Sequence, residues 1–245
     1  MPEVYEMAVL VRNDTSPRTV VELQEQIRRW ERKSVASTTS VLSTGCEAFN
    51  ELFPAGGIRP GSLVEWLERD AGGATTVSLA VARNVCPPRR PLILIDPQHE
   101  LFPLALKGLG FDLSRVVIIR PTSEQEAFWT CEESLRCPGV GLVWAPLANL
   151  HVTGFRRLQL AAEASRGVGF LLRSAQAARQ PSWAESRLRV DPRPSGPDGP
   201  RFRVEVAYSQ GSTRRSMLDI TLDSLRGTIH EVSHPIATQP LPLVS

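Results

Sequence analysis

The segment with the clearest chemical pattern is a glycine-containing loop between a predicted strand, Leu63 to Leu67, and a predicted helix that begins near Thr75. This order is the setting of a phosphate-binding loop, which needs an early Gly, a late Gly, a Lys and a Ser or Thr. Backbone N–H groups and the Lys surround the phosphates, and the hydroxyl holds magnesium. Here Glu68 stands at the early Gly position and Ala74 at the Lys position. The positions of this degenerate site are Glu68, Gly72, Gly73, Ala74, Thr75 and Thr76.

The other reactive side chains form no catalytic or metal-binding pattern. The four cysteines have no CxxC spacing and no His at a zinc-ligand offset, so we expect reduced thiols. His99 and His151 have no paired acid or nucleophile in the sequence, and we expect them to serve structure. The sequence therefore predicts no bound metal and no cofactor.

Short apolar runs alternate with helical patterns through most of the chain, which predicts an α/β fold with a mostly parallel central sheet flanked by helices. After residue 186, strand-like runs follow one another without helices and should form antiparallel edge strands. We expect the Pro- and Gly-rich stretch Asp191 to Arg201 to be a surface loop. The predicted parallel strands are Leu63–Leu67, Leu92–Asp96, Val116–Ile119, Val140–Trp144 and Val168–Leu172, and the predicted edge strands are Arg187–Val190, Phe202–Tyr208 and Met217–Leu222.

Three segments divide the chain: an arm with its linker at 1–40, a core domain at 41–230 and a Pro-rich, disordered tail at 231–245. Within the arm, apolar residues recur at helical spacing, which predicts an amphipathic helix. This helix could fold back on its own core or dock on another molecule, and the sequence favours neither. Its candidate partner-binding residues are Val20, Leu23, Ile27 and Trp30.

From about residue 42 to residue 190 the chain resembles the RecA recombinase family. The resemblance implies a RecA-like fold. It also places Gln98 where the family has the carboxylate that activates water, and Trp144 where it has the Asp that holds magnesium. Together with Ala74, these replacements imply a protein without ATPase activity. The matching stretches are Ser43–Gly45, Gly57–Glu65, Leu94–His99 and Leu109–Asp112.

Four further stretches make the chain similar to the ImuA family, whose members are RecA-like proteins with a degenerate ATP site. That resemblance implies a non-catalytic accessory role in SOS-induced, error-prone translesion DNA synthesis. It implies two partners, an ImuB-like inactive Y-family polymerase and an error-prone replicative-type polymerase. The stretches are Leu135–Val140, Val143–Leu147, Phe155–Glu163 and Gln180–Ala184.

A loop from Ser174 to Ser186 is the candidate DNA-binding segment. It combines Arg173, Arg179 and Arg187 with Trp183, and single-strand binding uses phosphate attraction together with base stacking. The competing interpretation is that Trp183 packs under its own loop and the Arg residues are solvated. Because the chain is Arg-rich from residue 156 onward, the sequence slightly favours that structural interpretation.

The net charge of the whole chain is +2, which neither supports nor excludes a nucleic-acid partner. No apolar run is long enough to cross a bilayer, and we expect a cytoplasmic protein with no membrane contact. Single-stranded DNA, a second copy of the chain and RecA stay open as partners. The alternatives from other functional classes are a residual DNA-dependent ATPase or recombinase-like protein and an SOS cell-division inhibitor-like protein.

Overall fold

A computed structural model describes residues 41–69, 72–223 and 226–232. Nine strands in this part of the chain form one sheet, in the order β3-β2-β4-β5-β1-β6-β7-β8-β9. The first six in that order are mutually parallel, and β7, β8 and β9 are added antiparallel. The strands are β1 (Leu63–Glu68), β2 (Leu92–Ile95), β3 (Val116–Ile119), β4 (Leu142–Pro146), β5 (Val168–Ser174), β6 (Ser186–Gly196), β7 (Gly199–Ser209), β8 (Met217–Asp223) and β9 (Thr228–Glu231).

Four α-helices of the described residues connect consecutive parallel strands, and a short helix precedes the first strand. Ser123 caps α4, because its side chain accepts a hydrogen bond from the Glu126 N–H. Two short 3-10 helices lie at Leu113–Arg115 and Ala175–Arg179. The helices are α1 (Glu47–Asn50), α2 (Ala74–Val85), α3 (Pro103–Gly108), α4 (Glu124–Arg136) and α5 (Val152–Ser165).

Two apolar clusters lie on opposite faces of the sheet. On one face, α2 packs against strand residues that include Trp66 and Phe170, whose ring centroids are 5.2 Å apart. On the other face, α4 and α5 cover residues such as Leu171, with Phe155 of α5 fully buried. Parallel strands are buried on both faces in this arrangement, which explains their nearly continuous apolar sequences.

The predicted mostly parallel sheet with antiparallel edge strands is confirmed, but the predicted loop from Asp191 to Arg201 is wrong. The stretch is a β-hairpin, since β6 runs to Gly196 and β7 begins at Gly199. Pairing of β1 with β6 stops at Val190, so the proline-containing half of β6 pairs on one side only. A strand with one free side tolerates proline, which cannot donate a backbone hydrogen bond.

Strand β9 ends at Glu231, one residue beyond the predicted limit of the core domain. The predicted arm and most of the predicted tail lie outside the described residues. No helix within the ranges described is both long enough and apolar enough to cross a membrane.

Candidate functional site

A cleft of about 680 Å³ opens at the carboxyl ends of β1, β2, β4 and β5. In open parallel α/β sheets this edge is where ligands usually bind. The cleft brings together Glu68, Thr75, Gln98 and Trp144, which the sequence had assigned to one degenerate site. Its other lining residues include Arg69, Asp96, Glu100, Leu101, Glu124, Phe128, Leu147, Asn149, Arg173 and Ser174.

The turn between β1 and α2 ends at Gly73, which stands at the late glycine of the phosphate-loop pattern. Gly73 is the N-cap of α2 with φ 116°, and a Cβ atom there would lie 2.9 Å from the Phe202 ring, so a side chain does not fit. A Cβ atom on Gly72 would lie 3.2 Å from Glu68 Oε1, so the Glu68 carboxylate lies beside the turn. A carboxylate at this position repels a phosphate.

Helix α2 begins with Ala74, which is fully buried, followed by the partly exposed Thr75 and Thr76. The Lys that would hold phosphate oxygens is therefore replaced by a methyl group inside the core. Thr75 lines the cleft, so a hydroxyl is present at the magnesium position.

Trp144 lies in the middle of β4 and lines the cleft. Its side chain is buried, and its indole Nε1–H donates a hydrogen bond to Ser78 Oγ of α2 at 2.9 Å. Ser78 lies one turn after Thr75, so Trp144 faces the helix that follows the degenerate loop. An indole has no oxygen with which to hold or orient a magnesium ion.

Carboxylates dominate the charge of the cleft. Asp96 is buried and is held by the Arg120 Nε atom at 3.3 Å and the Glu100 N–H at 2.8 Å. Burial, with Glu100 as a second contribution, raises the pKa of the Glu68 carboxyl above its ordinary value. Gln98 is exposed at the mouth. Among the described residues that line the cleft, Arg69 pairs with Asp191 and Arg173 with Glu65, so the unpaired charge of the lining is negative and repels anions.

The structure corrects the predicted DNA-binding surface at Arg173 and Arg187. Both side chains are buried and both pair with the fully buried Glu65, Arg173 through Nη1 at 2.8 Å and Arg187 through Nε. Ser182 Oγ donates to the same carboxylate at 2.7 Å. These groups fix the segment after β5 to β1, so neither guanidinium is available to a phosphate.

Arg179 and Trp183 are exposed, as the DNA-binding prediction requires. The sequence had missed Arg156 of α5, whose guanidinium carbon lies 4.7 Å from the centroid of the Trp183 ring. Helical periodicity does not reveal this pairing, because Arg156 and Trp183 belong to different elements. Arg156, Arg179 and Trp183 are called the Trp183 surface below. The predicted partner-binding residues Val20, Leu23, Ile27 and Trp30 lie outside the described residues.

Comparison with known proteins agrees with this architecture. A RecA protein from Clostridium novyi is 26% identical over 102 residues, which cover 42% of this chain and 29% of that protein. A RecA protein from Wigglesworthia glossinidia brevipalpis is 28% identical over 102 residues, or 42% and 31% of the two chains. The sheet and these matches define a RecA-like α/β protein.

A longer sequence match shows the family to which the chain belongs. Protein ImuA from Caulobacter vibrioides is 31% identical over 195 residues, which cover 71% of this chain and 80% of that protein. The chain belongs to the ImuA family, which confirms the resemblance seen in the sequence. No protein-family model matches the chain.

Proposed function

We propose that this protein is a non-catalytic accessory factor in SOS-induced, error-prone translesion DNA synthesis. It bridges DNA and a polymerase-like partner, an ImuB-like inactive Y-family polymerase that works with an error-prone replicative-type polymerase. Membership in the ImuA family supports a role in mutagenesis and the DNA-damage response. The RecA-like fold supports the same broad role.

The proposal that the protein is non-catalytic rests on the residues that stand at the catalytic positions of the cleft. Phosphoryl transfer needs a cation on the phosphates, a group that activates water and a metal held by a carboxylate. At the matching positions the chain has the buried Ala74, the exposed Gln98 and the hydrogen-bonded Trp144. The developing negative charge of the transition state would have no positive partner here.

ATP hydrolysis tests the proposal directly. We expect no phosphate release above a no-protein control, with or without single-stranded DNA, and an active RecA protein serves as the positive control. The variant Thr75→Ala distinguishes contamination from intrinsic activity, since Thr75 is the hydroxyl that lines the cleft. Turnover by the wild-type chain that disappears in Thr75→Ala would show that the protein is an ATPase.

The DNA-binding part of the proposal places single-stranded DNA on the Trp183 surface. Arg179 and Arg156 supply positive charge, and Trp183 is 38% exposed, so part of this residue is open to a base beside Arg156. Base stacking on an aromatic ring contributes roughly 1–3 kcal/mol and tolerates any sequence. This surface supports weak, sequence-indifferent binding.

A further inference from the structure

The cleft carries negative charge where a nucleotide site carries positive charge. Glu68, Glu100 and Glu124 line it, and none of the three forms an ion pair within the described ranges. The two cations that line it are already paired, Arg69 with Asp191 and Arg173 with Glu65. A ligand that complements this cleft is therefore positively charged.

The buried wall of the cleft contains a hydrogen-bond donor without an acceptor in the described part of the chain. Arg173 lines the cleft with a fully buried side chain, and its Nε atom has no hydrogen-bond acceptor among the residues described. The other two nitrogens of this guanidinium are used by Glu65 and Gln180. A buried donor without an acceptor is costly, and because this Nε atom has no accessible surface, a neutral acceptor of a ligand, such as a peptide carbonyl, reaches it only when the wall opens.

The remaining walls are apolar. Leu101, Phe128, Leu147 and Trp144 contribute hydrocarbon and aromatic surface, and the volume of about 680 Å³ lies in the range of ligand pockets. An Arg side chain has a hydrocarbon stem, a planar cation that stacks on aromatic rings and donors that match carboxylates. The peptide backbone beside it supplies the carbonyl acceptor.

We propose that the cleft binds an extended segment of a partner protein by taking up an Arg side chain of that partner, whose guanidinium pairs with Glu68 and Glu100. The proposal rests on the proposed function in one respect, that no nucleotide occupies the cleft. In addition, the cleft that stands at the place of a nucleotide site is assigned to the binding of a protein segment. Glu68, which stands at the early glycine position, then gives the cleft a preference for a cationic ligand where a nucleotide site prefers an anionic one.

The test uses the full chain, labelled with nitrogen-15, and two probe peptides. One is acetyl-Ser-Leu-Arg-Leu-Ser-amide, and the other carries citrulline in place of Arg, which keeps the shape and removes the charge. Amide chemical shifts followed during titration report both affinity and location. We expect saturable shifts at the carboxyl ends of β1 and β2, with the Arg peptide bound roughly tenfold more tightly than the citrulline peptide.

Variants identify the residues responsible. The double variant Glu68→Gln with Glu100→Gln should lose the preference for Arg over citrulline. The matched control Glu163→Gln makes the same chemical change at an exposed position on α5 and should keep that preference. A retained preference in the double variant, or its loss in the control, would overturn the assignment.

Addition of ATP separates the two proposals. Equal binding of both peptides, shifts located elsewhere, or no saturable binding would each overturn the docking proposal and leave the non-catalytic function standing. ATP binding followed by hydrolysis would instead overturn the proposed function. The expected result is that ATP neither binds in the cleft nor displaces the Arg peptide.

Discussion

At the scale of single residues, Glu68 places a negative charge where a phosphate-binding loop has a glycine. Its carboxylate lies beside the turn at Gly72, partly removed from solvent and close to Glu100. Desolvation and a like charge both disfavour the ionised form. A carboxylate kept under these conditions destabilises the fold at neutral pH, and such a cost is typical of residues retained for binding.

The variant Glu68→Gln should therefore be more stable than the wild type at pH 7. A carboxyl with a folded-state pKa above the unfolded value loses stability as pH rises through that interval, so the advantage of Gln should vanish below about pH 4. Since Glu68 is partly exposed, the gain should be below about 1 kcal/mol, which corresponds to roughly 1–3 °C in melting temperature. Thermal melts at both pH values measure it, with Glu163→Gln as the control. A variant that is less stable at pH 7 would contradict the expectation.

At the scale of secondary-structure elements, the register between strands decides which arginines are buried. Glu65 of β1 pairs directly with Arg187 of β6, and Leu67 pairs with Arg173 of β5. Alternate residues of a strand share one face, so Glu65 and both guanidinium groups lie on the same face of the sheet. The pairing attaches the segment after β5 to the centre of the sheet.

Replacement of Glu65 by Gln should release that segment. Two buried guanidinium groups would lose their counter-ion, which costs about 3–5 kcal/mol. We expect a lower melting temperature and faster tryptic cleavage after the exposed Arg179, because local opening of the segment becomes easier. Mass spectrometry of limited digests locates the cut, with Glu163→Gln again as the control. An unchanged cleavage rate at Arg179 would show that the segment is held by other contacts.

The parallel strands and the helices between them could be predicted from the sequence, because local residue patterns determine them. Apolar runs, the capping residue Ser123 and the glycines before α2 are features of neighbouring residues. The buried ion pairs are different, since Glu65 is separated from Arg173 by 108 residues and from Arg187 by 122. Only strand order and register bring them together, so the sequence placed both arginines wrongly on a DNA-binding surface.

The hairpin was missed for a related reason. Pro192 and Pro194 indicate a loop when they are considered alone, yet both lie in β6, on the stretch beyond its pairing with β1. Whether a strand has a free side is a property of the whole sheet. The acidic character of the cleft was partly predictable, because Glu68 was visible in the loop pattern, whereas Glu100 and Glu124 come from other elements.

At the scale of the whole molecule, the amphipathic arm is expected to mediate protein contacts. Deletion of residues 1–36 should leave a folded body, because the apolar stripe of Val20, Leu23, Ile27 and Trp30 is separated from the core by a polar linker in the sequence. Calorimetry of the truncated chain should show one cooperative melting transition. Its loss would show that the arm belongs to the core and is not a separate docking element.

The folded molecule is expected to bind single-stranded DNA weakly through the Trp183 surface. Each Arg–phosphate contact releases counter-ions, so binding to a fluorescein-labelled oligothymidylate should weaken as salt rises. Arg179→Glu should weaken binding more at low salt than at high salt. Trp183→Ala should weaken it at both, because stacking does not depend on counter-ion release. Fluorescence anisotropy at two salt concentrations measures both effects.

Arg226→Glu is the matched control for the charge change, since Arg226 is 81% exposed and lies in the turn between β8 and β9, near the far edge of the sheet. It should reduce binding less than Arg179→Glu does. Arg156→Ala tests the residue that only the structure revealed, and it should weaken binding at low salt while leaving the melting temperature nearly unchanged. Equal affinity of the wild type, Arg179→Glu and Trp183→Ala would remove DNA from the Trp183 surface. Its arginines would then favour an acidic protein segment as the ligand, because the same positive charge attracts carboxylates as well as phosphates.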